Sequence, residues 1–155
     1  MVRWIGSIVA ATLFALSGLH VYWAAGGSAG LKAAIPEFHG APIFQPSPFA
    51  AMVVATALLT AGLIVSSRAW MPVNHPLLRY AVWALVLVFA LRAMGDFRWV
   101  GFMKRHRGTE FARLDDALYS PLCLLLAAGC LVVALKKMKS VKTPACHPCM
   151  EPKPE

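Results

Sequence analysis

An all-α, polytopic membrane protein, an antiparallel bundle of four transmembrane helices, is what this 155-residue sequence predicts, and three observations carry the prediction. Hydrophobic residues make up 59% of the chain and charged ones 14%, against about a quarter charged in an average soluble domain, so so small a domain lacks the polar residues to cover its surface. Mean hydropathy is +0.63. Four apolar stretches approach the roughly 20 residues that an α-helix needs to cross about 30 Å of hydrocarbon. The formal net charge of +8 then reads as Lys and Arg setting orientation and meeting anionic headgroups, with no nucleic-acid partner expected.

The first span is expected over about residues 4–25, after the single cation Arg3. Arg3, the apolar middle and the small residues Ala24 to Gly27 also fit a cleavable signal, but His20, Tyr22 and Trp23 stand where such a signal has small neutral residues, which favours a retained helix. Residues 27–48 hold Gly27, Gly30, Pro36, Gly40, Pro42, Pro46 and Pro48, too many helix breakers for a span, and are expected to form a structured or re-entrant loop. The second span covers about 49–67, with Ser66, Ser67 and Arg68 marking its exit, and a turn from Trp70 to Pro76 follows. Between Arg79 and Arg92 lie only twelve residues, about 18 Å of helix, so the third span, about 77–96, has to take in an arginine. The fourth covers about 117–135 and ends at Lys136, Lys137 and Lys139; residues 1–139 form the domain, and 140–155 read as a disordered polar tail. An even number of spans puts both termini on one side. Cations divide eight to six in favour of that side's being cytoplasmic, so a multi-pass protein of the bacterial inner membrane with both termini inside is expected.

With antiparallel helices, the end of span one, the start of span two, the end of span three and the start of span four share one face of the bundle. The unusual residues gather there. His20 lies in span one, with Ser17, Trp23 and Gly27 on its side; Arg92 and Asp96 are an i,i+4 pair with Trp99 beyond; Asp115 or Asp116 precedes Tyr119 and Ser120. An ionised group in hydrocarbon costs at least about 2.5 kcal/mol, so Arg92 and Asp96 should compensate one another and face the bundle or the interface. His20, Trp23, Arg92, Asp96, Trp99, Asp116 and Tyr119 are therefore the candidate ligand-binding set, and His20 with Asp96 or Asp116 the candidate catalytic pair. The structural alternative is that Arg92 snorkels to headgroups and Asp96 caps or pairs across helices. In the third connection Phe97, Trp99 and Phe102 interleave with Arg98, Lys104, Arg105 and Arg107 as in an interfacial anchor, or as a lid over the polar pocket, and Thr109 can cap a short helix through Phe111 and Leu114.

No metal site and no cofactor is expected, because His20, His39, His75 and His106 stand on separate segments without ligand spacing. Cys146-His147-Pro148-Cys149 falls in the tail, outside the helix start that would make such a pair reactive, while Cys123 and Cys130 read as small packing residues of span four. Vitamin K epoxide reductase-like proteins share the four-helix plan, but their intramembrane C-x-x-C is missing.

The strings His20-Val21-Tyr22-Trp23-Ala24-Ala25-Gly26-Gly27, Gly95-Asp96-Phe97-Arg98-Trp99-Val100-Gly101-Phe102, Lys104-Arg105, Arg107-Gly108-Thr109, Phe111-Ala112-Arg113 and Tyr119-Ser120-Pro121-Leu122-Cys123 resemble the hallmark segments of a bacterial membrane family catalogued as domain of unknown function 3995. The resemblance implies a four-helix integral membrane protein with the tail as an extension, and brings no activity with it. Three functions are expected to compete. The first is a bundle that binds a small amphipathic or anionic ligand, lipid included. The second is a membrane-embedded enzyme acting on a lipophilic substrate. The third is a structural subunit or homo-oligomer in which Gly18, Gly62 and Gly129 allow close helix contact.

Overall fold

Proline opens two of the long helices, where its missing N–H is not needed and its fixed φ is already helical. Ser47 and His75 precede these prolines and accept from Ala50 N at 3.1 Å and Leu77 N at 3.3 Å, so each start is capped by its own side chain. In the computed structural model, which describes residues 1–38, 41–42, 44–71, 75–96, 100–105 and 109–136 and the backbone alone at 32, 37, 38 and 41, the elements run as follows. Helix α1 (Val2–Ala24) leads through α2 (Leu31–Ala34) and a minute hairpin, β1 (Glu37–Phe38) on β2 (Ala41–Pro42), to α3 (Pro48–Trp70) and α4 (Pro76–Met94). After a long connection, α5 (Glu110–Leu114), one π-helical turn (Asp115–Tyr119) and α6 (Ser120–Ala134) form a single helical run. The tail beyond 136 lies outside the described residues, as do Pro72 and Asn74 of the second turn.

Four helices are long and apolar enough to cross a membrane. The 23 residues of α1 and of α3 span about 34 Å at 1.5 Å per residue, slightly more than the hydrocarbon core. At most 39% of any span's apolar window is buried inside the bundle, and Trp4, Ile8, Leu63, Leu87, Val88 and Leu125 stand outward at 54–74% exposure. Such a surface is stable only against acyl chains.

Helix α1 packs chiefly on α3 and α4 chiefly on α6, and the two antiparallel pairs close on a core of Val9, Leu13, Val65, Val82, Cys130 and Val133. Small residues set the closest approach. A Cβ on Gly6 would stand 2.4 Å from the Ala69 Cβ of α3, and one on Gly129 would stand 2.4 Å from Val9 Cγ2 of α1. Gly62 receives the Phe14 ring in the same way, whereas Gly18, expected at a contact, has open space around it. The Ala69 methyl has no rotamer to escape into, so Gly6→Ala is expected to cost about 1–3 kcal/mol, measured as a lowered thermal-unfolding midpoint in detergent; an unchanged midpoint would mean that α1 and α3 can separate freely.

Candidate functional site

At the end of the bundle formed by the C-termini of α1 and α4 and the N-terminus of α3, the two helix pairs diverge around a cavity of about 560 Å³. Its lining is mostly aliphatic and aromatic, with Leu16, Leu19, Leu58, Phe89, Leu122 and Leu126 among the residues of its wall. His20, Trp23, Arg92, Tyr119 and Cys123 interrupt that lining, so four of the residues singled out in the sequence share one cavity. A second cavity of about 230 Å³, toward Ile35, Phe44 and Pro46, also has His20 and Trp23 in its wall.

Each of the four is fixed by a bond to a neighbouring group. His20 Nδ1 lies 2.8 Å from the Leu16 carbonyl oxygen, which can only accept, so Nδ1 is the donor of this bond. Trp23 meets His20 edge to face at 4.9 Å between ring centres and donates its indole N–H to Ala29 O at 2.9 Å, which ties the loop after α1 to the helix. Tyr119 donates to Ala33 O at 3.2 Å and so joins α2 to the π-helical turn.

Arg92 belongs to a charge cluster beneath the long connection. Its Nη1 and Nη2 both reach Asp115 Oδ1 at 3.4 Å. Asp115 is fully buried and accepts from Gly101 N at 2.7 Å and from Lys104 Nζ at 3.1 Å through its other oxygen. Lys104, 2% exposed, also donates to Asp116 Oδ1 at 2.5 Å and to Gly101 O at 3.3 Å. Two cations and two carboxylates thus cancel in a cluster whose centre, Lys104 with Asp115, is buried while Arg92 and Asp116 are partly exposed at its edges; pairing of this kind is the condition under which buried ionic groups persist at low dielectric. Lys104 was read as a headgroup anchor; it is instead an internal ion-pair partner, because the connection folds back over the end of α4 and carries it inside. Arg92 finds its carboxylate on α6's side of the bundle, at Asp115.

The π-helical turn makes this possible. Pro121 has no N–H to bond the previous turn, and its ring crowds the carbonyl four residues back, which widens the helix just before it. Ser120 N accordingly donates to Asp115 O, five residues back, and Asp115 points into the bundle. Thr109 caps the preceding helix by accepting from Ala112 N at 3.1 Å.

Asp96 and Asp116 stand outside the cavity wall. The Asp96 carboxylate accepts from Val100 N at 3.0 Å within its own loop, and Asp116 is engaged by Lys104. Trp99 lies outside the described residues, as do Phe97, Arg98, His39, His106, Arg107 and the Cys146–Cys149 tail motif. Among the described residues no three His, Cys, Asp or Glu side chains gather as a metal site would require. Residues missed by the sequence reading are Asp115, chosen second to Asp116, and Cys123, whose place in the cavity wall follows from its position one helical turn after Tyr119.

A family model described as protein of unknown function (DUF3995) matches residues 13–130. The chain belongs to this family. The match begins within α1 and ends within α6, takes in α3, α4, the charge cluster and the π-helical turn, and stops short of the tail. No curated protein and no solved structure matches the chain. This DUF3995 protein is thus a multi-pass membrane protein whose site has to be read from its own geometry.

Proposed function

We propose that this DUF3995 protein, in the bacterial inner membrane with both termini in the cytoplasm, binds a small amphipathic molecule whose tail fills the apolar cavity and whose anionic or hydrogen-bonding head meets Arg92, His20 and Tyr119. The observation that carries the reading is the cavity itself, about 560 Å³, within the roughly 300–1,000 Å³ typical of small-molecule sites and with few polar groups in an apolar wall. Arg92 is the anchor for the head. Its side chain is 37% exposed, and its bonds to Asp115 are 3.4 Å long, against about 2.7–2.9 Å for a full charge-assisted bond, so the guanidinium keeps capacity for a second anion. Lys104 lies closer to Asp115 and takes Asp116 as well, which leaves Arg92 the less committed of the two cations.

Native mass spectrometry of the protein purified in detergent, with a long-chain fatty acid as the probe amphiphile, tests this. The wild type is expected to retain the probe, Arg92→Gln to weaken retention about tenfold or more, and His20→Phe only a few-fold, as a charged and a neutral hydrogen bond would. Equal retention by wild type and Arg92→Gln would remove Arg92 from the site. The orientation has its own test: single cysteines placed in residues 28–48 should react with an impermeant thiol reagent from the outside, and labelling only after permeabilisation would reverse it.

A further inference from the structure

At the other end of the bundle, each of the four long helices delivers one cation: Arg3 on α1, Arg68 in the last turn of α3, Arg79 in the first turn of α4, and Lys136 just beyond α6. Arg68 is 3% exposed. Its Nη2 donates to Lys136 O at 2.8 Å, and Lys136 Nζ donates in return to Ala69 O at 3.0 Å and reaches Arg68 O at 3.5 Å, so the two residues cap each other's helix C-terminus. Capping accounts for only one side of the guanidinium fork. Nη1 of Arg68 is buried and has no hydrogen-bond partner.

These cations have no described counter-charge. All ion pairs among the described residues lie at the opposite end, as do the acidic residues whose side chains are described, Asp96, Glu110, Asp115 and Asp116. Like charges are close enough to act on one another: Arg79 lies within electrostatic reach of Arg68, and burial followed by Arg68 and Arg3 holds the Lys136 ammonium below its usual range. A buried donor left open within a ring of like charge is the complement of an oxyanion.

We infer that Arg68, with Arg3, Arg79 and Lys136 around it, binds a phosphate group supplied by the headgroup of an anionic phospholipid. The interface position selects the lipid as the source. Arg68 lies two residues before the end of α3 at Trp70; the guanidinium of Arg3 sits 5.6 Å from the Trp70 ring centre, and Trp4, Trp70 and Tyr80 are exposed around this end at 53–74%. Such aromatics sit at headgroup level, where lipid phosphates are the most concentrated anions and exposed apolar side chains continue along the acyl chains. The site stands a full helix length from the His20 cavity and does not depend on it.

The test is lipid retention by native mass spectrometry from nanodiscs holding equal amounts of phosphatidylglycerol and phosphatidylcholine. The wild type is expected to keep phosphatidylglycerol about fivefold or more in preference, and Arg68→Gln to bring the ratio near parity with helical content by circular dichroism unchanged. If Arg68→Gln fails to fold for loss of its cap, Arg79→Gln decides, because its side chain makes no described hydrogen bond; it should cut the preference several-fold. Equal retention of the two lipids by the wild type, or a preference untouched by Arg79→Gln in that case, overturns the inference. Displacement of bound phosphatidylglycerol by millimolar inorganic phosphate, with wild-type lipid preference absent in the nanodisc, would assign the site to free phosphate and overturn the lipid source.

Discussion

Asp115→Ala is expected to destabilise the protein by about 3–5 kcal/mol, enough to leave much of it unfolded or aggregated. The carboxylate is fully buried and is the meeting point of three donors from two elements: Arg92 from α4, and Gly101 N and Lys104 Nζ from the long connection. Removing it leaves Lys104 buried with Asp116 as its remaining carboxylate partner among the described residues, Gly101 N without its acceptor, and Arg92 without its counter-charge at the wall of the cavity. Breaking a buried pair by deleting one member costs more than the pair contributes, because the survivor's charge stays desolvated. The double variant Asp115→Ala with Lys104→Met should therefore recover part of the loss. Thermal unfolding in detergent, followed by size-exclusion chromatography, reads both; a midpoint for Asp115→Ala within a degree or two of wild type would show that the cluster holds nothing together.

The four membrane-crossing helices were legible because hydropathy over about 20 residues reports the solvent of a helix, whatever its neighbours are. The cavity was legible in part for a topological reason: antiparallel helices with short connections bring alternate ends together, so His20, Trp23, Arg92 and Tyr119 had to share a face. The choice between Asp115 and Asp116 was not legible in the same way. One residue is about 100° of helix, and the π-helical turn before Pro121 shifts the phase, so helical spacing does not tell which carboxylate turns inward. Lys104 was misread because aromatic residues mixed with cations describe a membrane surface equally well until the chain is seen to fold back on α4. The small-residue contacts show the same limit from the other side: Gly62 and Gly129 do meet neighbouring helices, but Gly18 meets none, and Gly6 went unnoticed, since which face of a uniformly apolar helix turns inward is decided by its partners.

The fold-back that seats Lys104 rests on two glycines, and replacing either by alanine is expected to cost about 3 kcal/mol or more. Gly95 ends α4 at φ 90° and ψ −173°, a conformation open essentially to glycine alone, and Gly101 sits at φ 85°. Space is as restrictive as torsion. A Cβ on Gly95 would fall 1.6 Å from Val100 O, and one on Gly101 would fall 2.4 Å from both Gly95 Cα and Met94 O, contacts with backbone that no rotamer change can relieve. Between them the chain closes a short loop, Asp96 N donating to Val100 O at 3.2 Å, and then returns to α4, where Phe102 N and Met103 N donate to Ala93 O at 3.0 Å and Met94 O at 3.3 Å. These bonds satisfy carbonyls that the end of a helix otherwise leaves open, and they set Gly101 N against Asp115 at 2.7 Å. Gly101→Ala should therefore lower the unfolding midpoint and weaken probe-amphiphile retention together, because Arg92 depends on the same carboxylate. Gly18→Ala is the internal control: nothing lies within 4 Å of its added methyl, and a mid-helix Gly to Ala change should be neutral or stabilise by up to about 1 kcal/mol. If Gly95→Ala and Gly18→Ala unfold at the same temperature, the loop is not held as described, and the burial of Lys104 and Asp115 loses its structural cause.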